Sequence, residues 1–174
     1  MHARHAILAT AACVLALLPA ANATAASGPT ADPAGARASA VGTAPSAAGN
    51  PRSARAQAAD VCGDATQVGS TAYIDKNGAH IASVKQFYSP SCQATFGYLW
   101  IWQSHRDAVP SDDLSVGVYD STTQEIVGQH DWIDTKEQEF WSFGEQTGTD
   151  CTAGIGWLEQ SSGGPLTAQT DEHC

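Results

Sequence analysis

The aromatic residues of this 174-residue chain divide it sharply at Val61: all five Trp, all four Tyr and all four Phe lie beyond that point. Large rings dominate the burial energy of a small core. A fold that uses them must therefore be built from residues 61–174, a length sufficient for one core. Upstream, Thr24 to Asp60 is almost entirely Ala, Ser, Gly, Pro and Thr, with no aromatic residue and no apolar period. Such a stretch cannot bury enough surface to offset its ordering entropy. Residues 24–60 are predicted to be a disordered linker, either a spacer or a pro-segment.

The first 23 residues carry a different signal. A short start containing Arg4 is followed by the apolar run Ala6–Leu18, a break at Pro19, and the small-residue site Ala21-Asn22-Ala23. This is the pattern of a secretory signal peptide cleaved after Ala23. The run is too short for a membrane span. Cys13 raises a lipoprotein alternative, but it sits inside the apolar run rather than at its end.

Charge narrows the partners. From Val61 onward the bases are Lys76, Lys85, Arg106 and Lys136, four against sixteen acids, net −12. Phosphate backbones and anionic lipid surfaces repel such a domain. The partners left are a neutral extracellular glycan or a basic protein; no nucleic acid and no cofactor are expected.

Four cysteines follow the cleavage site: Cys62, Cys92, Cys151 and Cys174. An even number in an exported domain reads as two disulfides. The close pairs typical of zinc sites are missing, so no metal is assigned to them. If Ser162-Gly163 is the centre of a tight hairpin turn, Cys151 and Cys174 are equidistant from it and face each other. Directly opposed residues lie about 4.5–5.5 Å apart at Cα, within disulfide range. This favours Cys151–Cys174 and leaves Cys62 for Cys92. Cys62–Cys174 with Cys92–Cys151, and Cys62–Cys151 with Cys92–Cys174, remain open.

The apolar pattern beyond Val61 has period two. Ile74 leads into the turn Asp75-Lys76-Asn77-Gly78, and His80–Tyr88 leads out. Ala94–Gln103 is a second and very aromatic strand. Leu114–Tyr119, Glu125–Gln129 after the polar turn Asp120–Thr123, Glu139–Phe143 and Cys151–Leu158 follow. A last strand is predicted over Leu166–Glu172. Six to eight short strands with turns between them predict an all-β fold, a small antiparallel sandwich or barrel. No stretch has a convincing helical period; one turn over Asp134–Phe140 is the nearest candidate, but the Thr, Trp and Phe around it argue otherwise.

In the aromatic strand Phe96, Tyr98, Trp100 and Trp102 share one face, with Gly97, Leu99 and Ile101 on the other. A central strand buried on both sides accounts for this. The alternative is an exposed platform on which sugar rings stack.

The segment Tyr88-Ser89-Pro90-Ser91-Cys92, followed by the aromatic strand to Trp102, resembles a box found in small exported actinomycete proteins. That family has no established function. The resemblance implies a compact secreted β-domain and no particular activity. Physically, Ser-Pro before Cys is a rigid turn that aims the thiol at its partner.

Chemistry-bearing patterns are sparse. His80, His105, His130 and His173 form no close pair and read as surface or turn residues. Asp112-Asp113 and Asp131 with Asp134 lack the rest of a calcium loop. No nucleophile elbow or phosphate-binding glycine loop is present. The function expected is a non-catalytic extracellular binding domain for carbohydrate or cell wall, using exposed rings among Trp100, Trp102, Trp132 and Trp141. Trp132 and Trp141 lead, because Asp131, Asp134, Glu137 and Glu139 surround them. A secreted protease inhibitor presenting a loop over His105–Asp113 is the alternative, and a small hydrolase comes third.

Overall fold

Residues 42–174 are described by a computed structural model. The signal-peptide reading, the Cys13 alternative and the first part of the linker lie outside the described residues.

The domain is an antiparallel sandwich of two four-stranded sheets. The strands are β1 (Thr66–Lys76), β2 (Ala79–Ser89), β3 (Ala94–Ile101), β4 (Asp112–Asp120), β5 (Glu125–Thr135), β6 (Glu139–Trp141), β7 (Thr152–Leu158) and β8 (Leu166–Gln169). One sheet has the order β1-β2-β3-β6 and the other β5-β4-β7-β8. The chain changes sheet after β3, after β5 and after β6.

Local chemistry sets the turns. Asn77 and Gly78 occupy the left-handed region, with φ of 54° and 79°, as a two-residue hairpin turn between twisted strands requires. Asp120 accepts through Oδ1 from the Thr122 and Thr123 backbone N–H groups, closing the β4–β5 turn. At the β2–β3 turn the Asp64 carboxylate takes the Ser89 and Ser91 hydroxyls and the Ser91 backbone N–H. These bonds, led by that of Ser89, hold its carboxyl below the ordinary range. The turn presents Cys92 to Cys62, and the two are bonded.

The main core lies between the sheets: Ile74, Val84, Leu99, Ile101, Leu114, Val116, Phe140 and Leu158 are all buried there. The sheets approach to backbone contact at Gly97, where an added Cβ would stand 2.2 Å from the Gly117 carbonyl oxygen.

A second apolar cluster covers the outer face of the β1-β2-β3-β6 sheet. It joins Phe87, Phe96, Tyr98 and Trp141 to Ala56, Ala59, Val61 and Ala65. This corrects the linker boundary, because residues 42–60 are folded. They run across the aromatic face and form the short helix α1 (Ala54–Ala58), whose first turn is capped by the Ser53 hydroxyl accepting from the Ala56 N–H. Asn50 donates through Nδ2 to the Gly42 and Ala44 carbonyls. Gly49 sits on the Phe87 ring at φ 85°, and a Cβ there would stand 2.3 Å from the ring. A stretch without large side chains cannot form a core alone, but it can cover rings that another part of the chain supplies.

One further reading needs correction. The strand from Ala94 stops at Ile101, and Gln103–Ala108 forms helix α2. Helices of five and six residues are too short to show a period. Asp134–Phe140, whose neighbouring Thr, Trp and Phe argued against a helical turn, contains the end of β5 and the start of β6.

The pairing Cys151–Cys174 is present, with Cα atoms 4.1 Å apart, but its predicted turn is not. The β7–β8 connection is a longer loop, and Gly156 pairs with Ala168 and Leu158 with Leu166, a ladder centred on Ser162. Further along, Thr152 pairs with His173. One extra residue on the β8 side between Gln169 and His173 moves the register by one and brings the two cysteines opposite each other.

Candidate functional site

The four tryptophans singled out as ligand candidates do not form one surface. Trp141 is 1% exposed, packed on Phe87 at 4.8 Å and Tyr98 at 4.6 Å between ring centroids. Its expected exposure is wrong: Glu139, on the same face of β6, is buried with it, and the ring enters the cluster beneath residues 42–60. Trp100 is half-buried against the same cluster. Trp102 is half-buried just before α2, with its indole Nε1 enclosed. Trp132 leans on the inter-sheet core, 3.9 Å from the His130 ring and 5.0 Å from Phe140. The aromatic strand is central and buried on both faces, except at Trp100.

The predicted inhibitory loop is likewise not a protruding one. His105 and Arg106 are buried, which also corrects the surface reading of His105. Both engage Asp112, at 3.2 Å and 2.5 Å, and Arg106 donates through Nε and Nη2 to the Glu137 carbonyl. Burial opposes ionisation of Asp112, but bonding to His105 and the charges of His105 and Arg106 outweigh it, so its pKa is lowered. This group anchors α2 to β4 and to the β5–β6 connection.

The candidate site is a cleft of about 290 Å³ where the two sheets meet the connection between β6 and β7. Val68 of β1, Gln86 and Tyr88 of β2, and Thr95 of β3 line one side. Thr147–Asp150, Thr152 of β7, His173 and Cys174 line the other. Its volume is near the lower end for small-molecule sites, about 300 Å³.

Short-range bonds hold the walls in place. Thr95 exchanges backbone hydrogen bonds with Glu145, and its hydroxyl meets that of Thr147 at 3.1 Å. Asp150 accepts from the Thr122 hydroxyl. Thr152 and His173 exchange backbone bonds beside the Cys151–Cys174 disulfide.

Gln86 is the decisive lining residue. It is 1% exposed, and its Nε2 donates to the Thr152 hydroxyl oxygen at 2.6 Å, joining the two sheets. Its Oε1 is enclosed and has no hydrogen-bond partner among the described residues. An unpaired buried carbonyl costs about 1–3 kcal/mol, a cost that a bound donor would remove.

No Lys or Arg lines the cleft, while Asp150 does. The site therefore presents hydroxyls, an amide and a carboxylate, a set suited to a neutral ligand rich in hydrogen-bond donors. Among the described residues no three His, Cys, Asp or Glu side chains stand together as a metal site, and no helix is long and apolar enough to cross a membrane.

Of these lining residues the sequence pointed to Cys174 as a disulfide cysteine, His173 as a surface or turn residue and Tyr88 as the start of the box before Cys92, and to none as a ligand contact. The one available signal was Gln86 itself, an amide at the inward register that continues from Ala82 and Val84. Fold and site together define a disulfide-braced antiparallel β-sandwich with a cleft of mixed polar and apolar lining. No protein-family model matches the sequence, and comparison with curated proteins and with solved structures returns no match.

Proposed function

We propose that the chain is a non-catalytic, exported carbohydrate-binding domain whose cleft takes a neutral sugar. The observation that carries this reading is the unpartnered Gln86 Oε1 in a cleft lined by hydroxyls and without Lys or Arg. The half-buried Tyr88 adds a ring on which the apolar edge of a sugar can rest. Export is supported by the leader pattern of residues 1–23 and by two disulfides, which persist outside the reducing cytosol. A binding role is favoured over catalysis because His173 makes no side-chain hydrogen bond to a hydroxyl or to Asp150 among the described residues, leaving no activated nucleophile.

Incubation of the protein with insoluble polysaccharides and cell-wall preparations, followed by pull-down at two salt concentrations, tests the proposal. Salt-insensitive retention that Gln86→Leu removes is the expected result. Retention that salt abolishes and Gln86→Leu leaves intact would point instead to a basic partner drawn by the acidic surface. Turnover of any bound glycan would overturn the non-catalytic reading.

A further inference from the structure

We propose that the cleft recognises the acetamido group of an N-acetylated amino sugar. The inference rests on the carbohydrate-binding reading and names the ligand class for that same site.

Gln86 Oε1 can only accept, and nothing in the described residues donates to it. The Thr152 hydroxyl already accepts from Gln86 Nε2 at 2.6 Å, so its own O–H is the group left to donate. Both residues are almost wholly buried, at 1% and 2% exposure. A desolvated acceptor and a desolvated donor therefore stand side by side, held by one bond between the sheets.

A secondary amide is the complement of that pair, since it carries an N–H donor and a C=O acceptor on one rigid plane. Val68 lines the same cleft. Its aliphatic side chain gains nothing from a hydroxyl and suits the methyl of an acetyl group. Asp150 and the lack of a lining Lys or Arg disfavour carboxylated or phosphorylated sugars. A plain diol could satisfy one polar group or both, but it would leave the Val68 surface without an apolar partner.

The experiment titrates the full exported protein with a short N-acetylglucosamine oligomer, its fully de-N-acetylated form, and a glucose oligomer of the same linkage. Calorimetry gives affinity, and backbone amide NMR shifts locate the site. The acetylated oligomer is expected to bind about tenfold or more tightly than either other, the value of one well-made hydrogen bond. Its shifts should centre on Gln86, Thr152 and Thr147. The paired change Gln86→Leu with Thr152→Val removes both bonding partners together, and should erase the preference. The wild-type comparison stands even if that variant does not fold. Equal binding of all three oligomers at the cleft would overturn the acetamido inference and leave carbohydrate binding intact. No shift at the cleft with any of them would overturn both.

Discussion

The Tyr98 hydroxyl, in the middle of the aromatic strand, donates its hydrogen bond to the backbone carbonyl of Ser46, 52 residues earlier. Ser46 belongs to the stretch whose composition reads as linker, and Tyr98 is fully buried beneath it. Burial, and then the charge of Glu139, push the Tyr98 pKa well above the ordinary phenol value, so the group stays a donor.

The first prediction concerns this cover. A chain beginning at Val61 loses Ala56 and Ala59 from the outer cluster and exposes Phe87, Tyr98 and Trp141 to water. It is expected not to fold cooperatively, whereas a chain beginning at Gly42 should melt like the longer protein. Tyr98→Phe removes only the bond to Ser46 and should cost about 1 kcal/mol, more if the carbonyl stays dry. Thermal denaturation of the four proteins checks this, and a Val61 chain with an unchanged Tm would show the cover to be dispensable.

Trp141→Ala separates core from site. The ring touches Phe87 and Tyr98 under the cover and lies outside the cleft lining. The substitution should lower stability by about 3–5 kcal/mol. Glycan affinity of the fraction that remains folded should be unchanged. Denaturant titration and calorimetry on one sample measure both, and a stable variant that loses binding would return the site to the tryptophans.

Glu139 predicts a pH dependence. It is 3% exposed, and its carboxyl faces the Ser53 hydroxyl, the Trp141 indole and the Asn50 backbone N–H without reaching hydrogen-bond geometry. Burial raises its pKa above the ordinary value of 4.5, and those neighbours and the Arg55 charge only partly offset this. A raised folded pKa means the unfolded chain releases this proton first as pH rises. The stability associated with the neutral form is then complete below about 4.5 and is lost as pH climbs through the folded value. Glu139→Gln should thus match the natural protein in acid and exceed it at neutral pH. Asp64 and Asp131 act in the opposite sense, because hydrogen bonds, from Ser89 and from Ser115 respectively, lower their pKa values. The difference between variant and natural protein across a pH series isolates Glu139; a difference independent of pH would refute the assignment.

Fold class was legible because it depends on short-range chemistry. Asn77-Gly78 dictates a two-residue turn whatever surrounds it, and alternation in Leu114–Tyr119 dictates a strand with one inward face. The disulfide partners were also reached, although through a turn that does not exist. An equal count of residues on either side of Ser162-Gly163 placed Cys151 opposite Cys174, while the observed ladder achieves the same pairing by a longer loop and a one-residue shift near Gln169. The site was not legible. Threonine and glutamine are common on strands, and nothing local distinguishes Gln86 until Thr152, far away in sequence, is brought against it.

The sequence by itself determined strand periodicity, the Asn77-Gly78 and Asp120–Thr123 turns, acidity and the number of disulfides, since each follows from residue type and from neighbours a few positions away. Only the tertiary structure decided which side of the aromatic strand would be covered, and by what. Trp141 is buried because residues 42–60 lie over it, and those residues are ordered because Phe87, Tyr98 and Trp141 give small side chains something to pack on. Neither partner could fold so without the other, and that mutual dependence spans a separation along the chain that composition and periodicity do not register.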